Sequence, residues 1–350
     1  VETGPDDVCE VAGTPREVVA LLDAWLAAHD DRPLVVPTSG STGRPKRVML
    51  SRSAVLASGA ATAARLGAQG AWLLALPASY VAGAQVVCRS LVAGHAPVVL
   101  DDHASLADAA RALPSGVPHL VSLVPTQLHR LLAEGGADLD ALCGFHTVLL
   151  GGGPVDAALR ARAADAGVRT VATYGMAETA GGCVYDGVPL DGVGLALAGD
   201  GRIRLGGPTL FSGYTDERLT AEVLVDGWFH TSDAGRLDHD GRLQVLGRLD
   251  DMVVTGGVNV PASVVATRLR THPRIDDAVV LGVPDEEWGN RLVAFVVPSP
   301  GASVALAEVR RWVGEVHPRS WAPRELVVLP KIPLLANGKT DRLGLRGRVS

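Results

Sequence analysis

Short apolar runs alternate with amphipathic stretches through the first 200 residues, and that alternation restricts the fold more than any other feature of the chain. Leu34–Pro37, Trp72–Leu76, Pro97–Leu100, His119–Val124, Thr147–Leu150 and Arg169–Thr173 read as buried strands. Between them Ser51–Leu66, Gln85–Ala93, Leu106–Leu113, Gln127–Ala133 and Val155–Ala166 read as helices, with Ser51 placed to cap the first of these. Strand–helix alternation of this kind builds a layered α/β domain around a largely parallel sheet. From Pro189 the texture changes. Glycine-punctuated runs at Gly201–Leu205, Trp228–Thr231 and Arg242–Leu246 suggest a small β-rich part made of antiparallel hairpins, and Asp200-Gly201 and Asp240-Gly241 are good turn dipeptides. The last hundred or so residues offer helices at Pro261–Thr271 and Ser303–Val316 and strands at Ala278–Val283, Leu292–Val297 and Glu325–Leu329, enough for a small α+β domain. The expected division is 1–249 and 250–350, with the first fifteen residues loose.

A length of 350 residues fits two domains, at about 150 residues each. A net charge of −6 leaves no electrostatic footprint for nucleic acid. No apolar run is long enough to span a bilayer, and no pattern marks a signal peptide. Cys9, Cys88, Cys143 and Cys183 are far apart and form no CxxC pair, which disfavours a zinc site or disulfide scaffold and favours buried free thiols in a cytoplasmic protein.

Only three lysines stand against 29 arginines. A lysine that survives such a bias marks a place where a compact point charge serves and a planar fork does not. Lys46 closes the run Thr38-Ser39-Gly40-Ser41-Thr42-Gly43-Arg44-Pro45-Lys46, and Lys339 closes Asn337-Gly338-Lys339, whereas Lys331 stands in no evident site. The first run follows a strand, and its small residues and hydroxyls suit a phosphate-binding concavity. It is not a Walker loop, since Arg47 follows Lys46 and the next segment reads as strand. Taken alone, a Ser/Thr/Gly loop is more often an ordinary surface turn, and the full string with Pro45-Lys46 is far more specific.

That run resembles the phosphate loop of the adenylate-forming superfamily: acyl-CoA ligases, adenylation domains of peptide synthetases, and luciferases. Four more stretches are similar to its motifs and in its order. They are Tyr174-Gly175-Met176-Ala177-Glu178-Thr179, Phe229-His230-Thr231-Ser232-Asp233, Gly247-Arg248-Leu249-Asp250-Asp251, and Pro333 through Asn337-Gly338-Lys339 to Arg342. Within the superfamily the chain most resembles the short o-succinylbenzoate–CoA ligases of menaquinone biosynthesis. Leu76-Pro-Ala-Ser-Tyr-Val-Ala-Gly83, Arg89-Ser-Leu-Val-Ala-Gly94 and Tyr174 through Gly187 carry this, as does the shortness of the region before the phosphate loop.

The resemblance implies a carboxylate attacking the α-phosphate of ATP to give an acyl-adenylate and pyrophosphate, after which CoA displaces AMP. It implies that Thr38 to Gly43 and Lys46 hold the β- and γ-phosphates, that Glu178 binds Mg²⁺, and that Thr179 donates to the α-phosphate. Tyr174, followed by Gly175 and Met176, would lie against adenine, with Gly152, Gly153 and Pro154 beside the base. Asp233 would accept from the ribose hydroxyls, and Arg248 would contact ribose or phosphate. Asp250 would be the hinge. Lys339 would reach the oxygen joining acyl group and α-phosphate, and Gly257 would face the CoA tunnel in the second step. Arg89 is the candidate for the second carboxylate of an aromatic dicarboxylic acid, and Ser79 and Tyr80 for the ring pocket. For Tyr174 a core position, for the glycine triplet a tight turn, and for Arg89 an exposed helix position remain the ordinary alternatives.

The chain departs from the family pattern at Ser79-Tyr80, where His is frequent, at Ala177, where Thr or Ser is common, and at Ser232, where Gly is frequent. Two other readings stay open: a ligase or carrier-loading adenylation enzyme for a different acid, and a catalytically silent nucleotide-binding module. The expected partners are small molecules, with no nucleic acid and no membrane insertion; a homodimer is compatible with the sequence. His119, His129, His146 and His272 are expected to be structural, and Trp312 and Trp321 to be core residues.

Overall fold

The structure, a computed structural model, describes residues 8–28, 31–38, 46–333 and 340–349, with only the backbone of Asp250. The chain divides into two compact units: 1–196, 204–231 and 237–243 in the first, and 197–203, 232–236 and 244–350 in the second.

The first unit is built on a seven-stranded sheet of order β10-β9-β8-β7-β6-β4-β5. Its strands are β4 (Ala71–Leu74), β5 (Val98–Val99), β6 (His119–Leu123), β7 (Thr147–Leu150), β8 (Thr170–Met176), β9 (Gly181–Tyr185) and β10 (Val188–Pro189). Strands β5, β4, β6, β7 and β8 run parallel, while β9 and β10 return antiparallel at one edge. Helices α1 (Pro15–Ala27), α2 (Arg52–Leu66), α3 (Val81–Val92), α4 (Leu106–Ala112), α5 (Pro125–Glu134), α6 (Gly136–Cys143) and α7 (Ala157–Asp165) surround it. Alternation of side chains along each strand feeds two separate cores. Trp72, Leu74, Leu120 and Leu149 join residues of α1, α2 and α3, while Ala71, Leu73, Val121, Val148 and Leu150 join residues of α4, α6 and α7. Both faces are therefore covered, which is why these strands read as continuous apolar runs.

A second sheet of order β1-β2-β3-β13 joins β1 (Cys9–Glu10), β2 (Leu34–Pro37), β3 (Arg47–Leu50) and β13 (Gly213–Tyr214). A third has order β11-β12-β15-β14, with β16 paired to β15. It contains β11 (Gly194–Leu197), β12 (Arg202–Gly206), β14 (Leu224–Val225), β15 (Trp228–Leu237) and β16 (Leu243–Arg248), and α8 (Glu217–Val223) precedes β14. Gly201 and Gly241 take φ values of +83° and +75°, as the two Asp-Gly turns require.

In the second unit, β17 (Met252–Thr255) and β18 (Val258–Pro261) form a hairpin, and β19 (Ile275–Asp285), β20 (Gly289–Pro298) and β21 (Glu325–Val328) form a three-stranded sheet. One face of that sheet packs on α9 (Ala262–Arg270) and α10 (Leu306–Gly314) through Ala278, Val280, Leu292 and Ala294. The other face, with Val279, Leu281, Val293 and Phe295, receives Ile332 and Leu345, the latter from the short α11 (Arg342–Arg346).

Two expectations are corrected. The first fifteen residues are not loose throughout: Cys9 and Glu10 pair in parallel with Leu34 and Val35, and Val11 is buried. Helix α3 begins at Val81 rather than Gln85, because Gly83 is a point of close approach and not a break. A Cβ there would lie 2.2 Å from the Pro77 carbonyl oxygen. Among the described residues no helix is long and apolar enough to cross a membrane.

Leu345, fully buried, is the apolar anchor of α11. Leu345→Ala is expected to destabilise the second unit by about 2–5 kcal/mol in denaturant unfolding. A loss below about 0.5 kcal/mol would mean that this helix is not anchored there.

Candidate active site

Strands β2 and β3 form an antiparallel hairpin whose last registered pair is Pro37 with Arg47. Beyond it the Thr38 N–H donates to the Lys46 carbonyl at 2.8 Å, and the Lys46 N–H donates to the Thr38 hydroxyl at 3.1 Å. Thr38 and Lys46 thus close the base of the expected phosphate loop. Ser39, Gly40, Ser41, Thr42 and Gly43 lie outside the described residues, as does Lys339. The Lys46 ammonium stands 4.9 Å from the centre of the Tyr214 ring and has no carboxylate partner among the described residues.

The segment from Tyr174 to Gly181 is a strand–turn–strand. Strand β8 runs to Met176, a 3₁₀ turn carries Ala177–Thr179, Ala180 adopts the left-handed region at φ +50°, and β9 returns. The hairpin is narrow: a Cβ on Gly175 would lie 2.1 Å from the Gly181 carbonyl oxygen, so only glycine fits. Tyr174 is half-buried on β8. Glu178 is 8 % exposed, and its Oε1 accepts from the Tyr214 hydroxyl at 2.6 Å. Its Oε2 has no hydrogen-bond partner among the described residues. The Phe211 N–H donates to the Glu178 carbonyl at 2.9 Å, which fixes the backbone as well. Burial, and then the neighbouring Glu178 charge, push the pKa of the Tyr214 hydroxyl far up, so that it keeps its proton and stays a donor. Tyr214 was not singled out in the sequence.

Thr179 is fully buried. Its hydroxyl accepts from the Met176 N–H at 3.0 Å and faces the carbonyls of Gly181 at 2.7 Å and Met176 at 3.1 Å. Donation to a phosphate therefore requires that hydroxyl to turn away from its own turn. Gly152, Gly153 and Pro154 are exposed at the end of β7, with Gly152 at φ +75°.

Ser79 and Tyr80 sit at the start of α3, where Tyr80 is 45 % exposed. Arg89 lies in the last turn of that helix and is only partly exposed. It borders a cleft that Val55, Gly59, Trp72, Gln85 and Cys88 also line. Its guanidinium stands 5.5 Å from the Trp72 ring centre and donates to the Ser58 hydroxyl at 3.4 Å. The Arg89 Nε and the Gln85 Oε1 are buried without partners, and no carboxylate among the described residues pairs with Arg89. A partly buried guanidinium without a carboxylate partner can take an anion through charge-assisted hydrogen bonds.

In the second unit Asp233 on β15 faces Arg248 at the end of β16, at 3.7 Å. Asp250 belongs to the turn Leu249–Asp251, and Gly257 is the exposed tip of the β17–β18 hairpin at φ +77°.

Residues 16–215 match the family described as AMP-binding enzyme, and residues 265–339 match the AMP-binding enzyme C-terminal domain. The chain belongs to the AMP-binding enzyme family. A relative in Mycobacterium tuberculosis named "Probable 2-succinylbenzoate–CoA ligase" is 44 % identical over 353 residues, spanning 98 % of this chain and 91 % of the relative. Among solved structures, the o-succinylbenzoate CoA synthetase (MenE) of Bacillus subtilis in complex with the acyl-adenylate intermediate OSB-AMP has a TM-score of 0.76 at 28 % identity, covering 89 % of this chain and 68 % of that one. The same enzyme in complex with ATP and magnesium ion has a TM-score of 0.75 at 28 % identity, covering 89 % and 69 %. The AMP-binding enzyme fold, with its large N-terminal and small C-terminal parts, is the α/β architecture described above.

Burial pushes the thiols of Cys88, beside Arg89, and Cys183, on β9, up to about 12. At pH 8 the thiolate fraction is then on the order of one in ten thousand. Ellman's reagent is expected to reach the half-buried Cys143 first. Cys88 and Cys183 are expected to react only as fast as the protein unfolds, and rapid native-state labelling of either would contradict their burial.

Proposed function

We propose that this chain is an AMP-forming acid–CoA ligase that converts o-succinylbenzoate, ATP and CoA to o-succinylbenzoyl-CoA, AMP and pyrophosphate. The observation that carries the reading is near-full-length similarity to a relative named for this reaction, joined to an unpaired guanidinium at a cleft of the same unit. The reaction's place is menaquinone biosynthesis, and free thiols and the use of ATP fit the cytoplasm.

Both steps move negative charge between oxygens, so fixed cations and N–H donors are the natural catalysts. In this reading Thr38 and Lys46, with residues 39–43, grip the β- and γ-phosphates. Glu178 is the magnesium ligand. It fits that task because it is a near-buried carboxylate with one oxygen held by Tyr214 and the other without a hydrogen-bond partner among the described residues, and Mg²⁺ takes oxygen ligands. When bound, the ion would supply positive charge to the phosphates. Thr179, after its hydroxyl turns, serves the α-phosphate. Tyr174, Gly175 and Met176 border the adenine together with Gly152, Gly153 and Pro154. Asp233 takes the ribose diol with two carboxylate oxygens, and Arg248 supports it.

The domain division proposed for the chemistry is 1–249 and 250–350, with Asp250 as pivot. Lys339 neutralises the oxygen that bridges acyl group and α-phosphate in the first step. Gly257 lines the approach of CoA in the second. Arg89 binds the second carboxylate of the acid, and Ser79 and Tyr80 shape its ring pocket.

Lys339→Ala is expected to slow adenylate formation by on the order of 10²–10³-fold, while ATP binding measured by calorimetry is largely kept. Equal turnover in the variant would overturn the assigned role. Arg89→Met is expected to lower kcat/KM for the aromatic diacid by roughly ten- to hundredfold, the equivalent of about 1.5–3 kcal/mol for a charge-assisted hydrogen bond. Monocarboxylic aromatic acids should be almost unaffected in a pyrophosphate-release assay. An equal loss for both acid classes would remove Arg89 from substrate selection.

A further inference from the structure

Among the described residues of the first unit, the buried Tyr214 touches both charged groups assigned to the nucleotide end of the site. It stands on a two-residue strand that the neighbouring structure fixes tightly. Gly213 and Tyr214 pair antiparallel with Met49 and Val48 of β3, the strand that begins one residue after Lys46. The Tyr214 N–H donates to the Thr220 hydroxyl at 2.8 Å. Gly213, at φ +151°, holds a backbone conformation that other residues rarely adopt, and a Cβ there would press on the Thr220 side chain at 3.0 Å. The ring packs edge-on against Phe211 at 5.0 Å, and Phe211 in turn holds the Glu178 backbone. From this fixed point the hydroxyl reaches Glu178 and the ring face meets Lys46.

We propose that Tyr214 is the positioning residue for this end of the site: its hydroxyl holds one oxygen of Glu178 so that the other is presented to the divalent cation, and its ring face orients the Lys46 ammonium. This rests on the reading of Glu178 and Lys46 given above. It assigns Tyr214 no contact with ATP. A group that orients a metal ligand acts through that ligand, and its loss weakens metal binding more than folding. A cation held over an aromatic face keeps its direction without neutralisation, so its charge remains available to a phosphate.

The test uses the full chain with ATP and no acid or CoA, so that nothing turns over. Mg²⁺ is titrated at fixed ATP and followed by calorimetry and by the rise in melting temperature, which reports ligand bound to the native state. Tyr214→Phe keeps the ring and removes only the hydroxyl. It is expected to raise the Mg²⁺ midpoint by about tenfold or more, with metal-free ATP affinity changed by less than about twofold. Tyr214→Leu, which also removes the ring, is expected to weaken metal-free ATP binding as well. If Tyr214→Phe does not fold, the Mg²⁺ midpoint of Tyr214→Leu, which carries no donor either, tests the hydroxyl. An unchanged Mg²⁺ midpoint in a folded Tyr214→Phe protein would overturn the proposal and leave the hydroxyl as a core contact. The expected shift in Tyr214→Phe, joined to a wild-type protein that forms no adenylate from any acid, would sustain the role of Tyr214 and overturn the ligase reading instead.

Discussion

A carboxylate held at 8 % exposure is the constraint around which the first unit's site is arranged. Removing such a charge from water costs several kcal/mol unless a donor meets it. The hydroxyl of Tyr214 is that donor for Glu178, and it comes from a strand far along the chain. For the two to meet, β13 must pair with β3, and the turn after β8 must close tightly enough to aim Glu178. Gly175 permits that closure, Ala180 reverses the chain in the left-handed region, and the Thr179 hydroxyl ties the turn from inside. Each of these is a steric or hydrogen-bonding requirement of the backbone. Together they bring an acid to the same tyrosine side chain that a lysine without a carboxylate partner among the described residues approaches.

Charge pairing separates structure from function elsewhere in the chain. Many arginines of this arginine-rich sequence are matched with acids, as Arg47 is with Glu10, Arg268 with Glu315, Arg291 with Glu325 and Arg342 with Asp251. Such pairs at the surface contribute little to stability, but they leave no net field for a ligand. Arg52, Arg204 and Arg324 lie near aromatic rings without a carboxylate partner among the described residues, and so do Arg89 and Lys46. Arg89 lies over Trp72 at a cleft, and Lys46 over Tyr214 at the base of the expected phosphate loop. A positive charge kept near an aromatic face and away from carboxylates suits an anionic substrate, and the proposed adenylation of a dicarboxylic acid would present anions at both places.

The parallel sheet was legible in the sequence because both of its faces are covered, so that Thr147–Leu150 and its neighbours could not alternate with polar residues. The tip of the β8–β9 hairpin was legible only through resemblance, since local pattern ends β8 at Thr173 and the strand continues to Met176. Helix α1 carries a readable start that was passed over: Thr14 caps it, Pro15 opens it, and Glu17 completes the capping box. Tyr214 was out of reach for a different reason. A two-residue strand has no period, and nothing near it in sequence foretells contact with Lys46 and Glu178. Arg89 stood in the sequence as either an exposed helix residue or an anion receptor. Its buried Nε and its place at a cleft favour the second.

The central claim, that one chain first activates an acid as its adenylate and then passes it to a thiol, is tested most directly by rapid quench and mass spectrometry on the purified protein. Mixed with ATP, Mg²⁺ and o-succinylbenzoate but no CoA, it should accumulate enzyme-bound o-succinylbenzoyl-AMP with matching pyrophosphate. Addition of CoA should then convert that species to the thioester and AMP. Absence of any adenylate before CoA is added, or an adenylate that CoA leaves untouched, would contradict it.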